Sequence, residues 1–329
     1  MCDTWFRLLT LLGSIGYVAK SGNVAVYCWT CGGDSMSERD EAVAKLLAMT
    51  RLKSKTSQPE RVLLVRELGI DAAIDQISGQ QQDLFGTPAL ELDRAIDDLQ
   101  RWQEQGIRVT SILDPDYPLM LATVREAPAL VYSLGVLDPG DLGVAVVGTR
   151  NADPLDIRNA TNIAGMLDEE GFTVISGLAA GVDGAAHRGA LSRGCRTVAV
   201  VGTGLDRTYP REHVALQNQI IESGGLILSQ FEPGAAVTRA SFPMRNVTMS
   251  GYSLGMVVVA ASENSGTRNQ AKRALQHGRN VFLTDAVVRN TLWGQEMSQQ
   301  AGVYSIKTVK DLKDRLHRLR SMQGLLLAQ

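Results

Sequence analysis

Val144-Ala145-Val146-Val147-Gly148-Thr149-Arg150, Thr173-Val174-Ile175-Ser176-Gly177-Leu178-Ala179-Ala180-Gly181 and Thr197-Val198-Ala199-Val200-Val201-Gly202-Thr203-Gly204-Leu205-Asp206 repeat one pattern: a short β-branched run that breaks at glycine. Runs of this length bounded by glycine predict fully buried strands. Further strands are expected over 226–229, 256–260 and 280–283. Helical patterns fill the intervals at 154–170, 182–192, 212–223 and 267–277. Near-continuous apolar strands alternating with helical crossovers predict an α/β fold, a doubly wound and mostly parallel Rossmann-like sheet covered on both faces. In such sheets ligands bind beyond the carboxyl ends of the strands, where all three glycine turns fall. Glycine there lets backbone N–H groups approach a ligand, and the following helix start favours an anion. This edge is expected to receive phosphates.

Upstream of the sheet, residues 41–105 read as helical. Apolar residues recur at helical spacing in Ala42, Val43, Leu46 and Leu47, and again in Leu90, Leu92, Ile96 and Leu99. The second of these helices is expected to take Thr87 as its cap and Pro88 in its first turn, and to end at Gly106. Residues 36–106 are therefore expected to form a small helical domain. Residues 107–138 are turn-rich and then extended at Ala129-Leu130-Val131-Tyr132, and read as a bridge into a domain spanning 139–320. A basic amphipathic helix over 309–319 and a short tail, 321–329, end the chain. The first 35 residues differ in texture. They are apolar in part, carry Arg7, and lack a basic leader and a cleavage site of small residues, so a signal peptide is not expected. Polar, helix-compatible sequence opens at Met36, which suggests that 1–35 is an upstream extension from a misassigned start codon, disordered or non-native.

Composition excludes several classes. With 329 residues and 44% apolar content the chain can bury a sizeable core, and a net charge of −2 exerts no general pull on nucleic acid. Any polyanion site must come from local clustering. Four cysteines, Cys2, Cys28, Cys31 and Cys195, build no disulfide framework and suggest a reducing compartment. Cys28-Trp29-Thr30-Cys31 has redox or metal spacing but no partner motif to complete a site. The one near match to a dinucleotide fingerprint, Gly202-Thr203-Gly204-Leu205-Asp206-Arg207, ends in arginine where close helix packing needs a small residue. No Walker A loop and no HExxH motif occurs, so neither a cofactor nor a metal is expected.

At this point several segments, in order and in register, carry a resemblance. Gly148-Thr149-Arg150, the segment from Ser176 to Leu191, Gly202-Thr203-Gly204-Leu205-Asp206, Tyr209-Pro210 and Phe242-Pro243-Met244-Arg245-Asn246 resemble the DprA/Smf family of DNA-processing proteins. The similarity extends upstream through Asp116-Tyr117-Pro118-Leu119 and Pro128 to Tyr132, covering roughly 105–310. The resemblance implies a cytoplasmic, dimeric, non-enzymatic protein that binds and protects single-stranded DNA and helps load the RecA recombinase in natural transformation. It also implies an extended Rossmann-like fold, preceded in the family by a helical SAM-like domain whose place is held here by 36–106.

Carried over by position, the family's GSR element falls on Gly148, Thr149 and Arg150. Its basic positions fall on Arg211 and Arg239, and its F-P-x-R-N on Phe242 to Asn246. Single-strand binders need cations that track the backbone and rings on which bases stack. Arg207, Arg211, Arg239 and Arg245, expected on loops beside Tyr209 and Phe242, suit that need. Arg150 is expected to bridge a phosphate held by the Gly148 and Thr149 amides. With Gly177, Gly181, Gly202, Thr203, Gly204, Asn246, Ser265, Gly266 and Thr267, these make up the expected DNA site. Bland roles compete: Phe242 as core, Arg211 and Arg239 as solvated charges, Asp183 as a helix-start anion with His187 packed nearby.

The chain also departs from the family. Val247-Thr248-Met249 stands where the family has a further arginine and two isoleucines. Ser265-Gly266-Thr267-Arg268-Asn269-Gln270-Ala271 replaces S-G-S-L-I-T-A, setting polar groups where an apolar helix start is usual. No winged-helix domain fits after the final helix. Two rival readings persist: a nucleotide-sensing module of the same superfamily, and a phosphoribohydrolase, for which Glu263 to Thr267 lacks the paired glycines and the glutamate.

Overall fold

The structure is a computed structural model that describes residues 36–79 and 91–327, with side chains through Ser321. The expectations for residues 1–35, for Cys28 and Cys31, and for Thr87 and Pro88 lie outside the described residues. Among the described residues the chain opens with helices α1 (Glu38–Arg51), α2 (Gln58–Leu68), α3 (Ile70–Gly79) and α4 (Leu92–Glu104). Ser37 caps α1 by accepting from the Asp40 amide, and Ser57 with Glu60 forms a capping box on α2.

The segment expected as a bridge supplies two strands, β1 (Arg108–Ser111) and β2 (Leu130–Gly135), around the short helix α5 (Leu119–Ala122). They pair antiparallel, and β2 pairs antiparallel with the sheet that follows. The alternating part then runs β3 (Gly143–Gly148), α6 (Pro154–Glu169), β4 (Thr173–Ser176), α7 (Val182–Leu191), β5 (Thr197–Val201), α8 (Val214–Glu222) and β6 (Leu226–Ser229). It continues through α9 (Ser241–Tyr252), β7 (Gly255–Ala260), α10 (Thr267–Gln276), β8 (Asn280–Thr284), α11 (Asp285–Asn290), α12 (Leu292–Ser298), β9 (Val303–Ile306) and α13 (Val309–Leu327).

Nine strands form one sheet in the order β1-β2-β6-β5-β4-β3-β7-β8-β9, with β3 to β9 parallel. Every residue of β4, β5, β6 and β7 is buried, as strands covered on both faces must be. Successive side chains go to opposite faces. Ala145, Val147, Val198 and Val200 pack with Met249, Tyr252 and Trp293 on one side. Val144, Val146 and Val174 meet α6, α7 and the Leu312 and Leu316 positions of α13 on the other. The helical residues share a core with the sheet: Leu46, Leu47 and Trp102 pack with Tyr132, Val201 and Ile227. The order reverses between β3 and β7, which places the switch point, and the crevice it opens, at the end of β3.

Three elements escape the sequence pattern. Strand β9 is short and only its first and last residues are buried. Helix α9 contains Pro243, which reads as a breaker, yet the proline sits in the first turn, where its missing N–H costs no helical bond. Helix α13 runs on past 319 through residues expected as tail, a stretch rich in leucine, methionine and glutamine that favours helix.

Backbone packing at the strand ends is close. Gly181 has φ +74°, and a Cβ there would lie 2.5 Å from Arg150 O and nearer still to Thr149 O. Gly181→Ala is expected to destabilise the protein by about 2 kcal/mol or more, read from denaturant midpoints, because it combines a left-handed backbone with a backbone collision. A loss under about 0.5 kcal/mol would count against this close approach.

Candidate nucleic-acid interface

Three strand ends build the site. Arg150 follows β3, Gly177 and Ala179 follow β4, and Gly202 and Thr203 follow β5. With Tyr209 and with Phe242 and Arg245 of α9, they line a cleft of about 270 Å³. The Arg150 guanidinium is exposed and lies 5.4 Å from the centre of the Phe242 ring. Phe242 is half-buried, and its ring is 5.7 Å from that of Tyr209 at a tilt of 52°. The Phe242 ring rests on Gly202, where a Cβ would come within 3.2 Å of it. Tyr209 is 51% exposed. One cation and two rings thus share one mouth, the pairing that stacking and phosphate contact both require.

The floor of the cleft differs from expectation. Arg245 lies inside α9 and not on a loop, and it is only 5% exposed. Its Nη1 donates to Gly177 O at 2.7 Å and Val200 O at 2.8 Å, and its Nε donates to Asn246 Oδ1 at 3.1 Å. Asp183, fully buried in the first turn of α7, accepts from the Gly177 amide at 3.1 Å. Burial pushes the Asp183 carboxyl up, and the Arg245 cation with the Gly177 and Ala179 amides offsets only part of that rise. Burial likewise pushes the Arg245 guanidinium down, against the attraction of Asp183. The second glycine turn is therefore already occupied, its amide bonded to the protein's own Asp183 side chain. Gly177 is glycine because a Cβ would strike the Arg245 guanidinium.

The first turn is likewise committed. The Thr149 amide, expected to hold phosphate, donates to Ala260 O at 2.9 Å. A Cβ on Gly148 would come within 2.6 Å of Val182 Cγ2 and 2.8 Å of Ala260 O, so this glycine serves close packing of β3 against β7 and α7. Gly204 packs under Glu232 O in the same way.

Of the exposed cations, Arg207 is paired with Asp206 at 2.8 Å. Arg211 opens a 3₁₀ turn, Arg211–His213, and Arg239 precedes α9. Both are exposed and form no ion pair or hydrogen bond among the described residues. They flank in sequence the lining rings Tyr209 and Phe242. His213 ties this turn to the second glycine turn, its Nδ1 lying 2.8 Å from Leu178 O. Leu178 is buried with φ +55°, a strained position that no sequence signal announced.

Several expected site residues stand apart from the cleft lining. Gly148, Thr149, Gly181, Gly204 and Asn246 lie behind or beside it. Asn246 Oδ1 also accepts from Gln270 Nε2 of α10 at 3.0 Å. Ser265, Gly266 and Thr267 begin α10, with the Ser265 hydroxyl bonded to Thr267 Oγ1 at 2.8 Å. His187, on the buried face of α7, has Nδ1 2.8 Å from Thr197 Oγ1 and turns away from the cleft lining. Sequence reasoning missed the internal role of Asp183. Its signal was an acidic residue in a helix's first turn directly after a glycine turn. Among the described residues, no group of three or more His, Cys, Asp or Glu side chains could hold a metal ion, and no helix is long and apolar enough to cross a membrane.

Comparison with known proteins matches residues 108–317 to the family model described as DNA recombination-mediator protein A. DNA processing protein DprA of Streptococcus pneumoniae is 35% identical over 238 residues, covering 70% of this chain and 84% of that protein. The X-ray structure of that pneumococcal protein superposes with a TM-score of 0.67 at 28% identity, over 85% of this chain and 98% of that one. DNA processing protein A of Helicobacter pylori shares the fold, with a TM-score of 0.57 at 23% identity over 64% of this chain and 96% of that one. The H. pylori structure is described as giving insight into that protein's single-stranded DNA binding mode.

Proposed function

The chain belongs to the DNA recombination-mediator protein A family, and from that premise we propose that it binds single-stranded DNA across the carboxyl ends of β3, β4 and β5. The observation that carries this reading is Arg150 held over Phe242 beside exposed Tyr209. The two rings offer faces to bases, and Arg150, Arg211 and Arg239 offer unneutralised charge to phosphates. Arg207 joins them once released from Asp206, and Arg245 supports the floor from within. In this reading the protein is a cytoplasmic, dimeric binding protein, not an enzyme, that shields incoming strands and hands them to the RecA recombinase. Residues 36–106 act as a helical domain in front of the DNA-binding part, 139–320.

Titrating a fluorescent oligo-dT at low and moderate salt tests it. Affinity is expected to fall as salt rises, with duplex DNA competing poorly. Arg150→Ala and Arg211→Ala are each expected to cost about tenfold, in the range of 1–3 kcal/mol for a lost stacking or phosphate contact. Unchanged affinity in both variants would refute the site. Capture of a mononucleotide without binding to oligonucleotide would replace this reading with that of a nucleotide sensor.

A further inference from the structure

Besides the apolar core they share with the sheet, the N-terminal helices are tied to the loop that borders the cleft by a charged side chain. Arg51 ends α1, and its side chain is only 20% exposed. Its Nη2 bonds Asp98 Oδ2 of α4 at 2.6 Å, and its Nε bonds Glu232 Oε2 at 3.0 Å. The guanidinium also lies 5.8 Å from the centre of the Trp102 ring, which meets Tyr132 of β2 edge-on at 5.4 Å. Asp98 takes a second arginine, Arg101. Burial works against ionising Asp98, but the two arginines outweigh it and hold the carboxyl below its usual range. Both of the donors that Arg51 uses point to protein carboxylates, so this cation is spent inside the fold.

Glu232 belongs to the loop between β6 and α9, and that loop closes over the third glycine turn. A Cβ on Gly204 would come within 2.6 Å of Glu232 O and 2.9 Å of Pro233 Cα. The Gly234 amide donates to Asp206 Oδ1 at 2.9 Å, and the Ser229 hydroxyl donates to Thr203 O at 2.6 Å. Further along, the same loop carries Arg239 and delivers Phe242 into the cleft. Whatever fixes this loop fixes two cleft walls at once: Gly202 with Thr203, and Phe242.

We propose that Arg51 is a positioning residue for the cleft: its bridge between Asp98 and Glu232 anchors the β6–α9 loop to the helical region, which thereby sets single-stranded DNA affinity without touching the strand. The inference rests on the single-stranded DNA reading for its ligand and on the bridge alone for its mechanics. A long charged side chain that joins two carboxylates through separate nitrogens orders both partners, which a lysine, with one point charge, does less well.

Glu232→Ala is the decisive variant, since a glutamine oxygen would still accept from Arg51 Nε. Its side chain is one-third exposed, and the change leaves Arg51 bonded to Asp98. Simple electrostatics and positioning predict opposite signs here. Removing a negative charge near the cleft would tighten DNA binding, whereas loosening the loop weakens it. The expected result is a fivefold to tenfold weaker oligo-dT affinity, with faster backbone amide exchange at 203–207 and 231–239. Arg51→Met is expected to act in the same direction, and the double variant to bind no worse than the weaker single, because both cut one tie. Arg51→Lys should recover part of the loss. Unchanged or tighter binding in Glu232→Ala overturns the proposal, as does unchanged amide exchange. If the wild-type protein binds no oligonucleotide, the functional reading fails and the DNA role of Arg51 fails with it. Accelerated exchange would then still identify the bridge as the anchor of the loop.

Discussion

Arg245→Met is expected to destabilise the protein by about 3–5 kcal/mol, the cost of taking a buried donor from two carbonyls and a nearby cation from a buried carboxyl group. Arg245 is buried, and its Nη1 supplies the hydrogen bonds to Gly177 O and Val200 O. It is also the cation that opposes the burial of Asp183, whose carboxyl group accepts from the Gly177 amide. Removing the guanidinium strips two carbonyls of their donor and leaves the buried Asp183 side chain with its amide donors but no nearby cation. Adding Asp183→Asn should recover a good part of the loss, since the amide oxygen still accepts from Gly177 and no buried charge is left unpaired. Denaturant midpoints of wild type, single and double variants measure this. A single variant within about 1 kcal/mol of wild type would show that the pair is not a structural keystone. A large loss with no recovery in the double variant would assign the cost to the carbonyls instead.

The second large effect is an acid weakness seated at His187. The Thr197 hydroxyl donates its hydrogen to Val174 O at 2.7 Å, so toward His187 it can only accept. Nδ1 must then carry the proton, and Nε2, buried without a hydrogen-bond partner among the described residues, is left bare. A second proton would create an unpaired buried cation. Burial, helped by His213, Arg188 and Arg245, accordingly pushes the imidazole down from 6.5 to about 3. The unfolded chain binds this proton as pH falls through 6.5 and the folded chain refuses it until about 3. Stability from this source is therefore complete above pH 6.5 and is lost progressively below it. Two pH units below the ordinary value the loss is about 2.7 kcal/mol at 1.36 kcal/mol per unit. Comparing wild type with His187→Gln between neutral pH and about pH 4.5 isolates the effect: the variant should be less stable at neutral pH but markedly less sensitive to acid. Equal pH slopes in the two proteins would sink the assignment.

Much of the architecture was legible because buried parallel strands write themselves plainly. The strands expected at 173–176, 197–201 and 226–229 are β4, β5 and β6 with the same bounds, and helix starts at Pro154, Val182 and Thr267 are where glycine, proline and capping signals put them. The antiparallel edge was harder. The strands β1 and β2 lie among Asp-Pro and Glu-Ala-Pro turns, and their pairing depends on β6, nearly a hundred residues away. The cleft was legible in several of its lining residues and not in what each of them does there. Arg150, Gly177, Gly202, Thr203, Phe242 and Arg245 do converge on one cleft. Yet Arg150 and Arg245 look alike in sequence, two arginines in motifs expected to bind DNA, while one is open to solvent and the other is buried on α9.

Sequence alone determined the α/β class, the three glycine turns at one sheet edge and the family, because each rests on local pattern: strand period, glycine after a β-branched run, motifs in register. Only tertiary structure decided which charges are free. A chain segment cannot show that Asp183 fills the second glycine turn, that the Thr149 amide is taken by Ala260 or that Arg51 is held by Asp98 and Glu232, since those partners come together only when distant strands and helices close on one another. Whether a guanidinium meets a phosphate or a carbonyl is settled by burial, and burial is a property of the packed molecule.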